Sequence, residues 1–319
     1  MLPKDSLKPF YDKVVWLYCY RDFKSGEADL AAERAHIRFG VTGWPTLLVV
    51  DPRTLEVIED IPHNEAAIVE ALQQASLPSS KANGALEAWR LAEPRAKTLQ
   101  KAGTMEQAEP LLGDPDVVVR TLAMRIVAEK SPEKISEKAV TLLALENDAF
   151  RFEVCDALAK SGNPRAAAPL NALLKEPRGS RNPNRLRCEV AEALVACGNA
   201  DSVPILGPLV AKADHLNALT RASARALVAI GERTPAKRPE ICRFLLDAFP
   251  TPPETGKRDS YYDMYLLPLA KTAHEGLGKL TDREVAFPAA YEGTARDDLR
   301  KAWDAVLTEV WRPKKGTGR

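Results

Sequence analysis

Residues 150–174 read FRFEVCDALAKSGNPRAAAPLNALL, and the same plan returns twice further along the chain. It reappears as NRLRCEVAEALVACGNADSVPILGPLV from Asn184 and as LTRASARALVAIGERTPAKRPEICRFLL from Leu219. Aligned on Ala-Leu followed by Gly, the copies place Ala157/Gly162, Ala193/Gly198 and Ala226/Gly231 in register, 36 and then 33 residues apart. An earlier copy, AEPLLGDPDVVVRTLAMRIVAE, puts Arg120 31 residues before Arg151. A period in the thirties carrying two helical patterns is the signature of a helical solenoid. In each unit a segment such as Pro169–Leu174 forms a first helix. A short break follows, then an arginine, then an Ala/Leu-rich second helix ending on glycine. The small Ala157, Ala193 and Ala226 allow close helix approach, Leu158, Leu194 and Leu227 fill the layer between units, and the glycines supply left-handed caps.

On these residues the region Ala108–Gly231 resembles HEAT repeats of the short bacterial kind. The resemblance implies an armadillo-like α-solenoid with a concave face suited to a protein or peptide, and specifies no activity. Arg120, Arg151, Arg187 and Arg221 recur near the starts of the second helices. Either they recognise an anionic partner, or each ties its repeat to a neighbouring carbonyl or carboxylate. Periodic recurrence favours the tie.

Breaks in the period are where binding residues collect. KEPRGSRNPNRLR (Lys175–Arg187) reads as an inserted basic loop, five cations against Glu176, with Arg178, Arg181 and Arg185 as candidate contacts for an acidic or phosphate-bearing ligand. The alternative is a solvated charged loop. FPTPPETGKRDSYYDMYLLPLA (Phe249–Ala270) is Pro-rich and brings Tyr261, Tyr262 and Tyr265 close together. They form either a contact patch or the packing of an irregular repeat. RDDLRKAWDAVLTEVWR (Arg296–Arg312) is an amphipathic helix whose Trp303 and Trp311 suit the cap of a solenoid end.

The first 78 residues differ in kind. KVVWLYCY (Lys13–Tyr20) reads as a buried strand, Leu30, Ala31, Arg34, Ile37 and Arg38 fall at helical spacing, and Gly40 is a C-cap. TLLVV (Thr46–Val50) and LEVIEDI (Leu55–Ile61) read as a hairpin, followed by a helix opened by Asn64. With FGVTGWPTLLVVDP (Phe39–Pro52) in place, this order resembles the C-terminal part of a thioredoxin-like domain. The resemblance implies a cis proline at Trp44-Pro45-Thr46 beside a peptide-binding edge. No Cys-x-x-Cys pair occurs in the chain, and the strands and helix that carry it in that family would precede residue 13. Cys19 is the one candidate thiol in this segment. Its place within an apolar strand fits a small buried hydrophobe better than a nucleophile.

SLPSSKANG (Ser76–Gly84) is turn-rich and marks a boundary. The expected organisation is therefore a partial thioredoxin-like domain over 1–78, a linker over 79–84, a HEAT-like solenoid with its capping helix over 85–312, and a basic tail over 313–319. The fold class is mixed and mainly α.

With 319 residues, 45% hydrophobic, 28% charged and a formal charge of +1, the composition is that of a globular protein without a field for nucleic acid. No apolar run reaches the roughly 18 residues of a membrane span, and no metal or cofactor motif is present. Five cysteines without a C-x-x-C pair fit a reducing compartment, hence a cytoplasmic location by default, or export if an upstream signal peptide has been lost. Two functions are consistent with these readings. One is a non-catalytic protein-interaction scaffold. The other is a thiol-disulfide oxidoreductase using Cys19 or a Cys-x-x-Cys upstream of Met1.

Overall fold

The repeat pattern folds as paired helices because each copy has one apolar face too broad for solvent and too narrow to close on itself. A computed structural model describes residues 5–10, 30–41, 46–62, 64–74, 84–145, 147–211, 217–254, 260 and 262–311. The described elements begin with a 3-10 helix, Asp5–Phe10, then α1 (Leu30–Phe39), β1 (Leu47–Val50), β2 (Val57–Ile61) and α2 (Glu65–Gln74). Next come α3 (Ala85–Ala102), α4 (Met105–Ala108), α5 (Val117–Lys130), α6 (Pro132–Glu137), α7 (Ala139–Leu143) and α8 (Asp148–Ser161). The order closes with α9 (Ala167–Lys175), α10 (Pro183–Cys197), α11 (Val203–Ala211), α12 (Asn217–Arg233), α13 (Arg238–Asp247), α14 (Leu267–Thr281) and α15 (Ala295–Val310). The protein is mainly α. No described helix is long and apolar enough to cross a membrane.

The chain divides into two compact units, one comprising 1–130 with 147–153 and the other 131–146 with 154–319. In the first, β1 and β2 pair antiparallel with Leu47 opposite Ile61 and Val49 opposite Glu59. The turn is held by the buried Asp51, whose Oδ1 accepts from the Arg53 amide at 2.8 Å. Asn64 caps α2 by accepting from the Ala67 amide at 2.8 Å. Leu7, Ile61, Ile68 and Ala71 close a small core, with Leu47 and Val49 packed against it.

This differs from the expected thioredoxin-like segment. Among the described residues there is one two-stranded sheet and no thioredoxin domain. The anticipated strand Lys13–Tyr20 lies outside the described residues. Helix α1, expected beside a sheet, packs on α5. The reason is its composition. It buries only Ala32 and Ile37, while Glu33, Arg34 and Arg38 pair with side chains of α3, α5 and the turn before α5.

In the second unit α10 packs on α12 and α12 on α14, while α9 and α11 stand as the first helices before α10 and α12. Ala157, Ala193 and Ala226 and the leucines after them, Leu158, Leu194 and Leu227, are all at most 1% exposed. Each leucine contributes about 1.5–3 kcal/mol by burial. The glycines have a different role from the one expected. Gly162 is left-handed at φ +59°, but Gly198 is extended and Gly231 lies inside α12. A Cβ on Gly198 would sit 2.5 Å from the Leu194 carbonyl oxygen and 2.8 Å from Ile230 Cδ1, and one on Gly231 would sit 2.8 Å from Leu280 Cδ2. Close approach, not backbone handedness, selects glycine at these two positions.

The Pro-rich interruption ends in a π-helical turn, Tyr262–Leu266, that leads into α14. The Tyr262 hydroxyl donates to the Tyr291 carbonyl at 2.8 Å, and the Tyr291 hydroxyl donates to the Pro250 carbonyl at 2.7 Å. The π-helical turn and two stretches without regular structure are thereby tied through two buried phenols. Trp303 of α15 is fully buried.

Candidate protein-binding surface

The second helices α10 and α12 carry a row of accessible charge. In the second unit, α10 presents Arg185, Glu189 and Glu192 along one stripe, because 185, 189 and 192 are four and three residues apart. Arg185 Nε lies 3.8 Å from Glu189 Oε1, and Arg225 of α12 donates to Glu192. Burial raises the Glu189 carboxyl above the ordinary carboxylate range; Arg185 opposes this, while Glu192 and Asp156 add to it. Burial also pushes the neighbouring Cys188 thiol up to about 11, reinforced by Glu189 and Glu192. The stripe and its neighbour on α12 therefore carry two glutamates and two arginines, a surface of mixed charge.

In the first unit, too, the charges between helices are engaged within the chain. Arg125 of α5 donates to Glu33 of α1 and to Glu153 of α8. Burial alone would lower its pKa, but the two carboxylates hold the guanidinium above its ordinary value. Arg34 of α1 reaches Glu93 at 2.9 Å and Gln100 at 2.5 Å on α3. Arg38 reaches Asp116 at 2.8 Å and lies 4.9 Å over the Trp89 ring.

The residues singled out in the sequence fall in several places. Cys19, Trp44, Pro45 and Tyr261 lie outside the described residues; Thr46 directly precedes β1. Arg178 is held by Glu176 in a two-point pair, with Nε to Oε1 at 2.6 Å and an Nη–H donated to Oε2 at 2.7 Å. Arg181 is exposed in the same loop. The loop is shorter than its composition suggested, since α10 begins at Pro183 with Asn182 accepting from the Arg185 amide at 3.2 Å. Arg185 and Arg187 are thus helical residues, and Arg187 Nε donates to the Leu174 carbonyl at 3.1 Å. Tyr262 is 1% exposed and Tyr265 is 38% exposed, so these two tyrosines do not form one contact patch.

Three of the four recurring arginines, Arg120, Arg151 and Arg187, serve local structure. Arg120 donates to the Pro115 carbonyl at 2.9 Å and lies 5.3 Å over the Phe150 ring. Arg151 is buried beside Asp148 at 3.9 Å, and Arg221 is exposed on α12. The charges that act across helices in the second unit are others: Arg225 donates to Glu192, and Asp156 raises the Glu189 carboxyl. Their signal was present in the sequence, since Asp156, Glu192 and Arg225 each directly precede the aligned Ala157, Ala193 and Ala226.

A cleft of about 570 Å³ opens between α14 and the segment leading to α15, lined by His274, Glu275, Arg283, Glu284 and Trp303 among others. Trp303 Nε1 donates to His274 Nδ1 at 3.1 Å, which places the ring proton of a neutral His274 on Nε2. Burial lowers the His274 pKa, with Glu275 opposing. Among the described residues no group of three His, Cys, Asp or Glu side chains is arranged to hold a metal ion.

Comparison with known families agrees with the repeat geometry. Residues 105–182 match the family described as HEAT repeats. The matched stretch runs from α4 to the turn before α10 and overlaps the region whose period is legible in the sequence. No curated protein matches the chain.

Proposed function

We propose that this protein is a non-catalytic interaction scaffold that engages a partner protein or peptide along its second helices. The observation that carries the reading is the charge on adjacent second helices of the HEAT-like array, with Glu189 and Glu192 on α10 and Arg225 on α12. Many shallow contacts spread over repeats give affinity without a deep pocket. Arg178, Arg181 and Tyr265 are candidate secondary contacts because they lie on loops or an irregular turn between helices.

Affinity capture with the full chain as bait tests the proposal. A partner should be recovered stoichiometrically by the wild-type chain and lost with the double variant Glu189→Lys/Glu192→Lys. Recovery of no stoichiometric protein, or capture indifferent to that double substitution, would count decisively against it.

A further inference from the structure

Helix α1 lies on the repeat helices as a ligand would. Its own buried residues are Ala32 and Ile37, whereas α5 buries eight residues in its core. Its remaining hold is polar and specific. Glu33 meets Arg125, Arg34 meets Glu93, and Arg38 meets Asp116. Acid on the helix faces base on the array, and base on the helix faces acid. The same Arg125 continues to Glu153 in the first half of α8, so the array side of the contact draws on α3, α5 and α8.

From this geometry we infer that the face formed by α3, α5 and the first half of α8 is a helix-docking surface, that α1 closes it in cis, and that its partner is a helical segment of another protein with the chemistry of α1. That chemistry is a carboxylate followed one and five residues later by arginines, with an aliphatic side chain at the fourth, as in Glu33, Arg34, Ile37 and Arg38. Intramolecular tethering gives α1 a high effective concentration, so a competing segment binds weakly until α1 is released. The inference rests on the reading of the array as a protein-binding scaffold, but concerns a different unit from the α10–α12 stripe.

The test uses the full chain and a fluorescein-labelled peptide of residues 29–41, read by anisotropy. In the released chain, Glu33→Arg, Arg34→Glu and Arg38→Glu disable α1 and leave the docking face intact. The peptide should bind the released chain at least about tenfold more tightly than the wild type, because the cis competitor is gone. Adding Arg125→Glu to the released chain should weaken binding about tenfold, and a peptide carrying Glu33→Arg should recover it. Equal binding to wild-type and released chains, or indifference to Arg125→Glu, overturns the inference. So does a wild-type chain that dimerises by exchanging α1, since the occupant is then the protein's own second copy. If the released chain does not fold, hydrogen exchange on the wild type decides. Amides of α1 should exchange faster than those of α5 and faster still in high salt, and equal rates would make α1 a core element. Failure of the peptide with capture through Glu189 and Glu192 intact sinks this inference and leaves the scaffold standing. Peptide docking without any captured partner does the reverse.

Discussion

Arg225 of α12 donates to Glu192 of α10, and the two residues are 33 positions apart, the length of one repeat in the sequence. Consecutive second helices are thus linked through side chains that are 47% and 41% exposed. A pair in that setting is worth about 0–1 kcal/mol, since solvent screens it and two long side chains lose freedom in making it. Under the proposed scaffold reading, the pair serves a partner more than it serves the fold. Arg225→Glu should lower stability by no more than about 1 kcal/mol in urea unfolding, while weakening capture of a partner. A double-mutant cycle with Glu192→Arg would assign any larger stability effect to the pair itself and count against the surface role.

The glycines give a sharper stability prediction. Gly198→Ala should cost about 1–3 kcal/mol, because the new methyl meets the Leu194 carbonyl and Ile230 within the layer joining α10 and α12. Gly231→Ala should cost less, at the low end of that range, since it meets the mobile tip of Leu280 and not backbone. Gly113→Ala is the control. Nothing lies within 4 Å of its added Cβ and its φ is not positive, so the urea midpoint should stay unchanged. A full-sized effect at Gly113, or none at Gly198, would show that close approach is not what fixes these positions.

The helical array was legible because its information is periodic. Ala157, Ala193 and Ala226 with their following leucines report burial at fixed spacing, and repetition multiplies a signal that is weak in one copy. Gly198 and Gly231, unlike Gly162, depart from the expected left-handed caps for a physical reason. A glycine after a helix suits both a left-handed cap and a close contact, and only the position of Ile230 or Leu280 separates the two. The placement of α1 could not be read at all. Leu30, Ala31, Arg34, Ile37 and Arg38 predict a helix, but its partners Glu93, Asp116 and Arg125 lie tens of residues away, and charges at such separations carry no local pattern. Likewise Tyr262 and Tyr265 look equivalent in sequence, and the π-helical turn buries one and exposes the other.

The thiols can be tested directly. Burial pushes Cys188 and Cys197 up to about 11 and Cys242 up to about 12, and Cys155 is 1% exposed. A thiol raised this far carries almost no thiolate at neutral pH, and the thiolate is the reacting species. Iodoacetamide on the folded chain, followed by peptide mapping, should leave these four cysteines unmodified at a pH of about 7.5, with modification appearing on denaturation. Rapid labelling of Cys188, the one of the four that is only partly buried, would overturn the assignment.

The pairing of Trp303 with His274 makes the C-terminal cap sensitive to acid. Nδ1 accepts the indole proton, so protonating it would set two donors against each other. Burial lowers the His274 pKa from the ordinary 6.5, against the opposing pull of Glu275, in a cleft that also presents Glu284 and Arg283. The folded chain therefore takes up its proton at lower pH than the unfolded chain does. In the window between the two values the unfolded state holds more protons, so stability rises with pH there. The contribution is fully present above about 6.5 and is lost as pH falls through the folded pKa. His274→Gln keeps an acceptor for the Trp303 indole and removes the titration. It should flatten the fall in urea midpoint on acidification below about 6.5, without lowering the midpoint steeply at neutral pH. In NMR the His274 ring protons should titrate below the ordinary histidine value. Titration at or above that value, or an unchanged pH profile in His274→Gln, would show that this cap is not the acid-labile element.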